Sequence, residues 1–180
     1  MRIFDSIAEF AAAKGETFGP SEWVAVEQAR IDQFADATDD HQWIHVDPQR
    51  AAGGPFGGTI AHGYLTLSLL PGLLGQLYTV GNVSMAINYG LDRVRFPAPV
   101  PAGGRVRLSA VLTEVRTSEG FVETVVTSTI EVEGSPKPAC IAQTVGRFYG
   151  KSRPARPPAA RPVRCDPLTG RRQAPPASSL

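Results

Sequence analysis

The sequence predicts an α+β fold in which a long antiparallel sheet wraps around a single central apolar helix. Three observations carry this expectation. Residues 60–78 form an apolar run without one charged side chain, the stretch from Val83 to Tyr149 switches to a period of two, and turn signals cut that stretch into long strands. A helix that is apolar all round needs a layer to bury it, and half-buried strands need a cover for their apolar face. Each supplies what the other lacks.

Taken in order, the chain opens with Phe4, Ile7, Phe10 and Ala11 at helical spacing, an amphipathic helix that Gly15 stops. Asp5 and Glu9 break its apolar runs, so it lacks the basic start and apolar centre of a secretion signal. After Gly19-Pro20, Trp23 to Val26 reads as a short strand. Glu27 to Ala37 reads as a helix, with Ile31, Phe34, Ala35 and Thr38 recurring at its spacing. Gly53 to Gly58 is a glycine-rich loop. It has neither the terminal Lys-Ser/Thr nor the preceding strand of a phosphate-binding P-loop, so a mobile lid or a turn is expected. Pro71 is expected to kink or end the first half of the apolar helix, which is too short and broken to span a bilayer. In the strands that follow, Val106, Leu108, Ala110 and Leu112 alternate with polar neighbours. So do Val122, Thr124, Val126, Ser128, Ile130 and Val132. Ala139 to Tyr149 makes a further strand.

Composition divides the chain at about residue 150. Residues 1–150 carry 11 basic and 16 acidic side chains, and residues 151–180 carry seven basic and one acidic. The last 30 residues also hold seven of the 16 prolines, which predicts one domain over 1–150 and a disordered, Pro/Arg-rich tail over 151–180. No aromatic residue is interleaved with the tail arginines, so nucleic acid is not the expected partner. Two cysteines, Cys140 and Cys165, make no disulfide framework and fit a reducing, cytoplasmic setting.

The densest group of ionisable side chains lies at residues 36–47, where four acids and two of the three histidines alternate with Trp43, Ile44 and Val46. Acids and imidazoles held against apolar surface acquire shifted pKa values. Asp40 and His45 are five apart, and an Asp that ends a helix before a turn brings both side chains to one pocket, where they can hold a water as an acid–base pair. The competing reading is a charged helix end facing solvent. A metal site drawn from His41, His45, Asp47 and His62 is a further alternative, but it has no recognised ligand spacing, and no metal is expected. His62-Gly63 at the start of the apolar helix is the second informative pair: a glycine at a helix N-terminus lets backbone N–H groups approach an oxygen, as an oxyanion hole requires. Equally, Gly63 allows a tight junction and His62 is a satisfied core histidine.

Phe34 to Asp47, then Ile60-Ala61-His62-Gly63-Tyr64-Leu65, then Asn88 to Pro97 resemble the MaoC-like (R)-specific enoyl-CoA hydratases, in particular their nodulation-protein-N-like branch. The resemblance covers about residues 3–150. It implies the hot-dog fold, a homodimer with its site near the subunit interface, and a hydratase motif whose Asp and His fall on Asp40 and His45. The substrate it implies is an enoyl-CoA thioester, with no cofactor and no membrane. Catalysis is then assigned to Asp40, His45 and the Gly63 N–H, with His45 taking the water proton and Asp40 supplying the one to C2. Gln42, Ile60, Ala61 and His62 are implied as substrate contacts beside the dyad. On the later strand, Ala86, Ile87, Asn88 and Tyr89 are implied along the thioester tunnel, although for Asn88 cross-strand capping is an equal alternative. The chain departs from the commoner motif with Thr38-Asp39 before the Asp and Gln42-Trp43 after it. Pro71 stands where some relatives carry a serine, leaving Ser68 only as a neighbour. A hot-dog thioesterase and a non-catalytic acyl-CoA-binding module are the other classes in play.

Overall fold

The computed structural model describes residues 1–151; the expectation of a disordered tail falls, beyond Lys151, outside the described residues. A first strand, β1 (Arg2–Phe4), precedes helix α1 (Ile7–Ala12). The expected helical stripe from Phe4 is therefore split. Ser6 Oγ accepts from the Glu9 N–H at 3.2 Å while the Glu9 carboxylate accepts from the Asp5 N–H at 2.7 Å, a reciprocal cap that starts the helix at Ile7 and leaves Phe4 extended.

Two short strands, β2 (Thr17–Phe18) and β3 (Val24–Val26), lead into α2 (Gln28–Thr38), and two small helices follow, α3 (Trp43–Val46) and α4 (Pro48–Ala52). The apolar run becomes α5 (Gly63–Ser68) and α6 (Leu70–Leu77), separated at Leu69. The break sits at the start of the second helix because Pro71 has no N–H to donate to the preceding turn. The chain then forms β4 (Tyr78–Val80) and four long strands, β5 (Val83–Arg95), β6 (Gly104–Ser118), β7 (Phe121–Val132) and β8 (Cys140–Gly150).

The main sheet runs β2-β6-β7-β8-β5 with β3 also on β6, all antiparallel, while β1 pairs in parallel with β4. Along β6 the buried residues are Val106, Leu108, Ala110 and Leu112, as the alternation requires. In β7 the period slips, with Thr124, Val125 and Val126 all buried, opposite the register shift between Leu112 and Glu114. Leu65, Leu70, Leu73 and Leu77 of the central helices join Val106, Leu108, Ile130 and Ala142 of the sheet in one core cluster. The result is the hot-dog arrangement, a sheet curled around a helix. At one end an aromatic group closes the core: the Phe10 ring lies 4.9 Å from Tyr78, 5.1 Å from Phe4 and 5.4 Å from Phe148.

β5 forms the other edge of the sheet and is exposed along nearly its whole length, with Met85, Ile87, Tyr89 and Leu91 between 38% and 57% accessible. No helix among the described residues is long and apolar enough to cross a membrane.

Candidate active site

α2 delivers the acidic cluster. Its last turn ends at Asp39, which adopts the left-handed conformation (φ 58°, ψ 18°) that reverses the chain and turns Asp40 back towards the fold. α3 then carries His45 inward, 7% exposed, while Trp43 packs under the glycine-rich loop. A Cβ on Gly54 would come within 3.0 Å of the Trp43 ring, and Arg50 lies over that ring at 4.6 Å. The neighbours of the pair have structural duties. His41 bonds Asp36 at 2.9 Å on the surface, and Asp47 caps α4 by accepting from the Arg50 N–H at 3.0 Å.

Asp40, His45 and His62 each place one carboxylate or imidazole atom within 4.8 Å of the others. His45 Nδ1 lies 2.7 Å from the Ile60 carbonyl oxygen. A carbonyl only accepts, so Nδ1 carries the proton and Nε2 keeps its lone pair for a water or substrate. Burial pushes the imidazole below its ordinary pKa, and His62 adds to this, while the Ile60 bond and Asp40 oppose it. His45 therefore stays neutral at neutral pH, the form in which an imidazole can accept a proton.

The composition of this trio suits a cation, but its geometry does not. The His45 and His62 rings stack with centroids 3.7 Å apart and planes 27° from parallel. Two imidazoles on one tetrahedral ion, with Zn–N near 2.0 Å, hold their ring centres about 5 Å apart and aim their lone pairs at a common point.

His45 and the backbone of Gly63 line the same pocket, of about 330 Å³, together with Phe56, Ile60, Ala61, Thr66 and Phe96. Gly63 is the first residue of α5, and no side chain caps that turn. The amides of a first helical turn lack partners within the helix. A Cβ at Gly63 would come within 3.0 Å of the Phe96 ring, which would have to shift by a few tenths of an ångström to admit one. Of the expected substrate contacts, Ile60 and Ala61 line this pocket. Gln42 is exposed and precedes α3, with its carbonyl accepting from the His45 N–H at 2.9 Å and no side-chain cap. Ala86, Ile87 and Asn88 line a different cavity, a groove of about 420 Å³ between α6, β5 and β8. Tyr89 lies instead under the Arg147 guanidinium, 3.2 Å from its ring centre. Ser68 turns its hydroxyl back to the Tyr64 carbonyl at 2.7 Å.

Sequence reasoning missed Gln28. Its amide donates to the His45 carbonyl at 2.8 Å and accepts from the Thr59 hydroxyl at 2.5 Å, tying α2, α3 and the end of the glycine loop together. No motif marks it, because the three partners meet only in the folded chain. Cys140, the free cysteine among the described residues, is buried, and burial pushes its thiol up to about 11, which leaves it no nucleophilic role.

The depressed His45 pKa gives a testable pH dependence. Below about pH 6.5 the unfolded chain takes up a proton that folded His45 resists, so its share of stability is complete above that value and declines as the pH falls towards the lower folded pKa. Urea midpoints measured from about pH 7 down to about pH 5 should fall more steeply for the wild type than for His45→Gln. Parallel slopes would remove the buried-base assignment.

Comparison with known proteins places the chain among relatives. Residues 9–134 match the family model of the MaoC like domain. The chain is 58% identical over 149 residues to 3-hydroxyacyl-thioester dehydratase Z of Mycobacterium tuberculosis, covering 82% of this chain and 99% of that one. It is 46% identical over 154 residues to nodulation protein N of Rhizobium leguminosarum bv. viciae, covering 83% and 96%. Among solved structures, the (R)-hydratase from A. caviae involved in PHA biosynthesis superposes with a TM-score of 0.60 at 28% identity, over 74% of this chain and 94% of that one.

Proposed function

We propose that this chain, which belongs to the family of MaoC-like dehydratases, adds water reversibly to a trans-2-enoyl-CoA and gives the (3R)-hydroxyacyl-CoA. The single observation that carries the reading is the shared pocket: His45 and the Gly63 backbone line it, and the Asp40 carboxylate lies within 4.8 Å of the imidazole. The thioester carbonyl accepts from the Gly63 N–H, which stabilises negative charge as it develops at the oxygen. A water held between Asp40 and His45 Nε2 attacks C3 and gives its proton to His45; the imidazolium passes a proton to the Asp40 carboxylate, which delivers it to C2, so the hydroxyl and the proton added both come from the one water and the pair is restored. No cofactor enters, and every atom added comes from water.

The relatives' printed names support hydration and dehydration of acyl thioesters, and the resemblance supports the CoA form and the (R) outcome. The assembly we propose is a cytoplasmic homodimer joined through β5, whose exposed Met85, Ile87, Tyr89 and Leu91 form an apolar edge next to a strand side that is unpaired among the described residues. The test is to incubate the purified protein with crotonyl-CoA and follow both the conjugated enoyl absorbance and free thiol. Loss of absorbance without thiol release, with (3R)-hydroxybutyryl-CoA as product, is expected. Thiol release would indicate a thioesterase, and saturable binding without turnover a binding module. The same preparation should sediment as a dimer at micromolar concentration; a monomer would end the β5 proposal.

A further inference from the structure

We propose that His62 is a positioning residue, which fixes Asp40 and His45 relative to the Gly63 amide without itself touching the substrate. This rests on the hydratase reading above and assigns His62 a part different from the substrate contact expected from the sequence. His62 is 3% exposed and does not line the pocket that holds His45 and Gly63. It lies behind that pocket and touches each of the three working groups by a different kind of contact. Its Nε2 lies 2.9 Å from the backbone oxygen of Asp40, so the ring donates there and holds the main chain that presents the carboxylate. Its face stacks on the His45 ring at 3.7 Å. Through the chain it is joined directly to Gly63, and its own carbonyl is anchored by the Thr66 N–H at 3.1 Å and the Thr66 hydroxyl at 3.3 Å.

Phe34 of α2 closes the far side of the ring, with centroids 5.1 Å apart. The imidazole therefore sits between a helix that ends at the dyad and the base itself.

A purely space-filling role is a poor account of this residue. The donation from Nε2 leaves Nδ1 as an acceptor, and Nδ1 is buried without a partner among the described residues. An orphaned buried nitrogen lowers stability, and an apolar ring would stack on His45 without that penalty. What an apolar ring lacks is the bond to Asp40. Retaining the imidazole makes sense where that bond, together with the stack, holds two side chains in register for proton transfer, since small displacements of catalytic groups are costly.

Two substitutions separate the contacts. His62→Phe keeps a stacked ring and loses the donor; His62→Gln places an amide N–H near Nε2 and loses the stack. With the wild type turning over crotonyl-CoA, His62→Phe is expected to lower kcat on the order of 10²-fold at a KM within about twofold, and His62→Gln to recover part of the loss. Both variants staying within about threefold of wild-type kcat would overturn the proposal, as would a raised KM at unchanged kcat, which marks a substrate contact. A readout without substrate keeps the inference separate from the reading it rests on. In the wild type the His45 Cε1–H proton resonance should carry the ring-current shift of the stack, retained in His62→Phe and lost in His62→Gln. If the wild type proves inactive while this pattern holds and the Asp40 carbonyl carbon resonance moves in His62→Phe more than in His62→Gln, the hydratase reading fails and the positioning role stands. If the His45 resonance is the same in all three proteins, the positioning role fails whatever the activity.

Discussion

Asp40→Asn and His45→Asn are each expected to lower kcat for the proposed hydration of a trans-2-enoyl-CoA by about two to four orders of magnitude, the usual cost of removing a general acid or base. The two variants differ in their side effects. Asp40 is half exposed and its carboxylate has no near bond to lose, so Asp40→Asn should fold with wild-type stability. His45→Asn gives up the bond to the Ile60 carbonyl inside the fold and should lose about 1–3 kcal/mol as well. Activity is therefore to be compared per folded molecule, from steady-state rates below each variant's melting transition. If the two groups act on one water as proposed, the double variant should be little worse than the more damaged single one. Rates within a few-fold of wild type for both single variants would withdraw the catalytic assignment.

The second large effect concerns stability alone. Phe10 is fully buried at the centre of the aromatic group formed with Phe4, Tyr78 and Phe148. Phe10→Ala removes a ring that the surrounding backbone cannot collapse to replace, and should cost about 3–5 kcal/mol. For a domain of this size each kcal/mol lowers Tm by about 2–4 °C, so a drop of roughly 6–20 °C is expected by calorimetry. None of the four aromatic residues lines the His45 pocket, and kcat of the folded fraction should be unchanged. A loss below about 1 kcal/mol would mean that this end of the core is looser than its packing indicates.

The sheet and the central helix were legible in the sequence because alternation and unbroken apolarity are local signals that burial enforces. Asp40 and His45 were legible for a similar reason: five residues and one turn bring them together. What escaped was whatever depends on a third element. Gln28 looks like an ordinary polar residue at a helix start until His45 and Thr59 are placed beside it. His62 was placed correctly beside Gly63, but its stacking on His45 joins positions 17 apart through tertiary packing alone. The β5 residues were legible as a strand and not as an edge, since strand order is a property of the whole sheet. The spacing of Phe4 fits the first helix, but the cap at Ser6 and Glu9 overrides that spacing.

On the proposed β5 dimer, the long outer edge matters most before the chain has met its second copy. A newly made molecule would present thirteen residues of sticky backbone, with four large apolar side chains, to any extended peptide in the crowded cell. Its irregularity is a safeguard. Register shifts between Val83 and Met85, Asn88 and Gly90, and Leu91 and Arg93 bend the strand away from the flat line that fibrils need, and Asp92, Arg93 and Arg95 add charge along it. A straight, arbitrary strand fits such an edge badly. If β5 joins two copies as proposed, this distortion would act as a filter on partners and discourage aggregation.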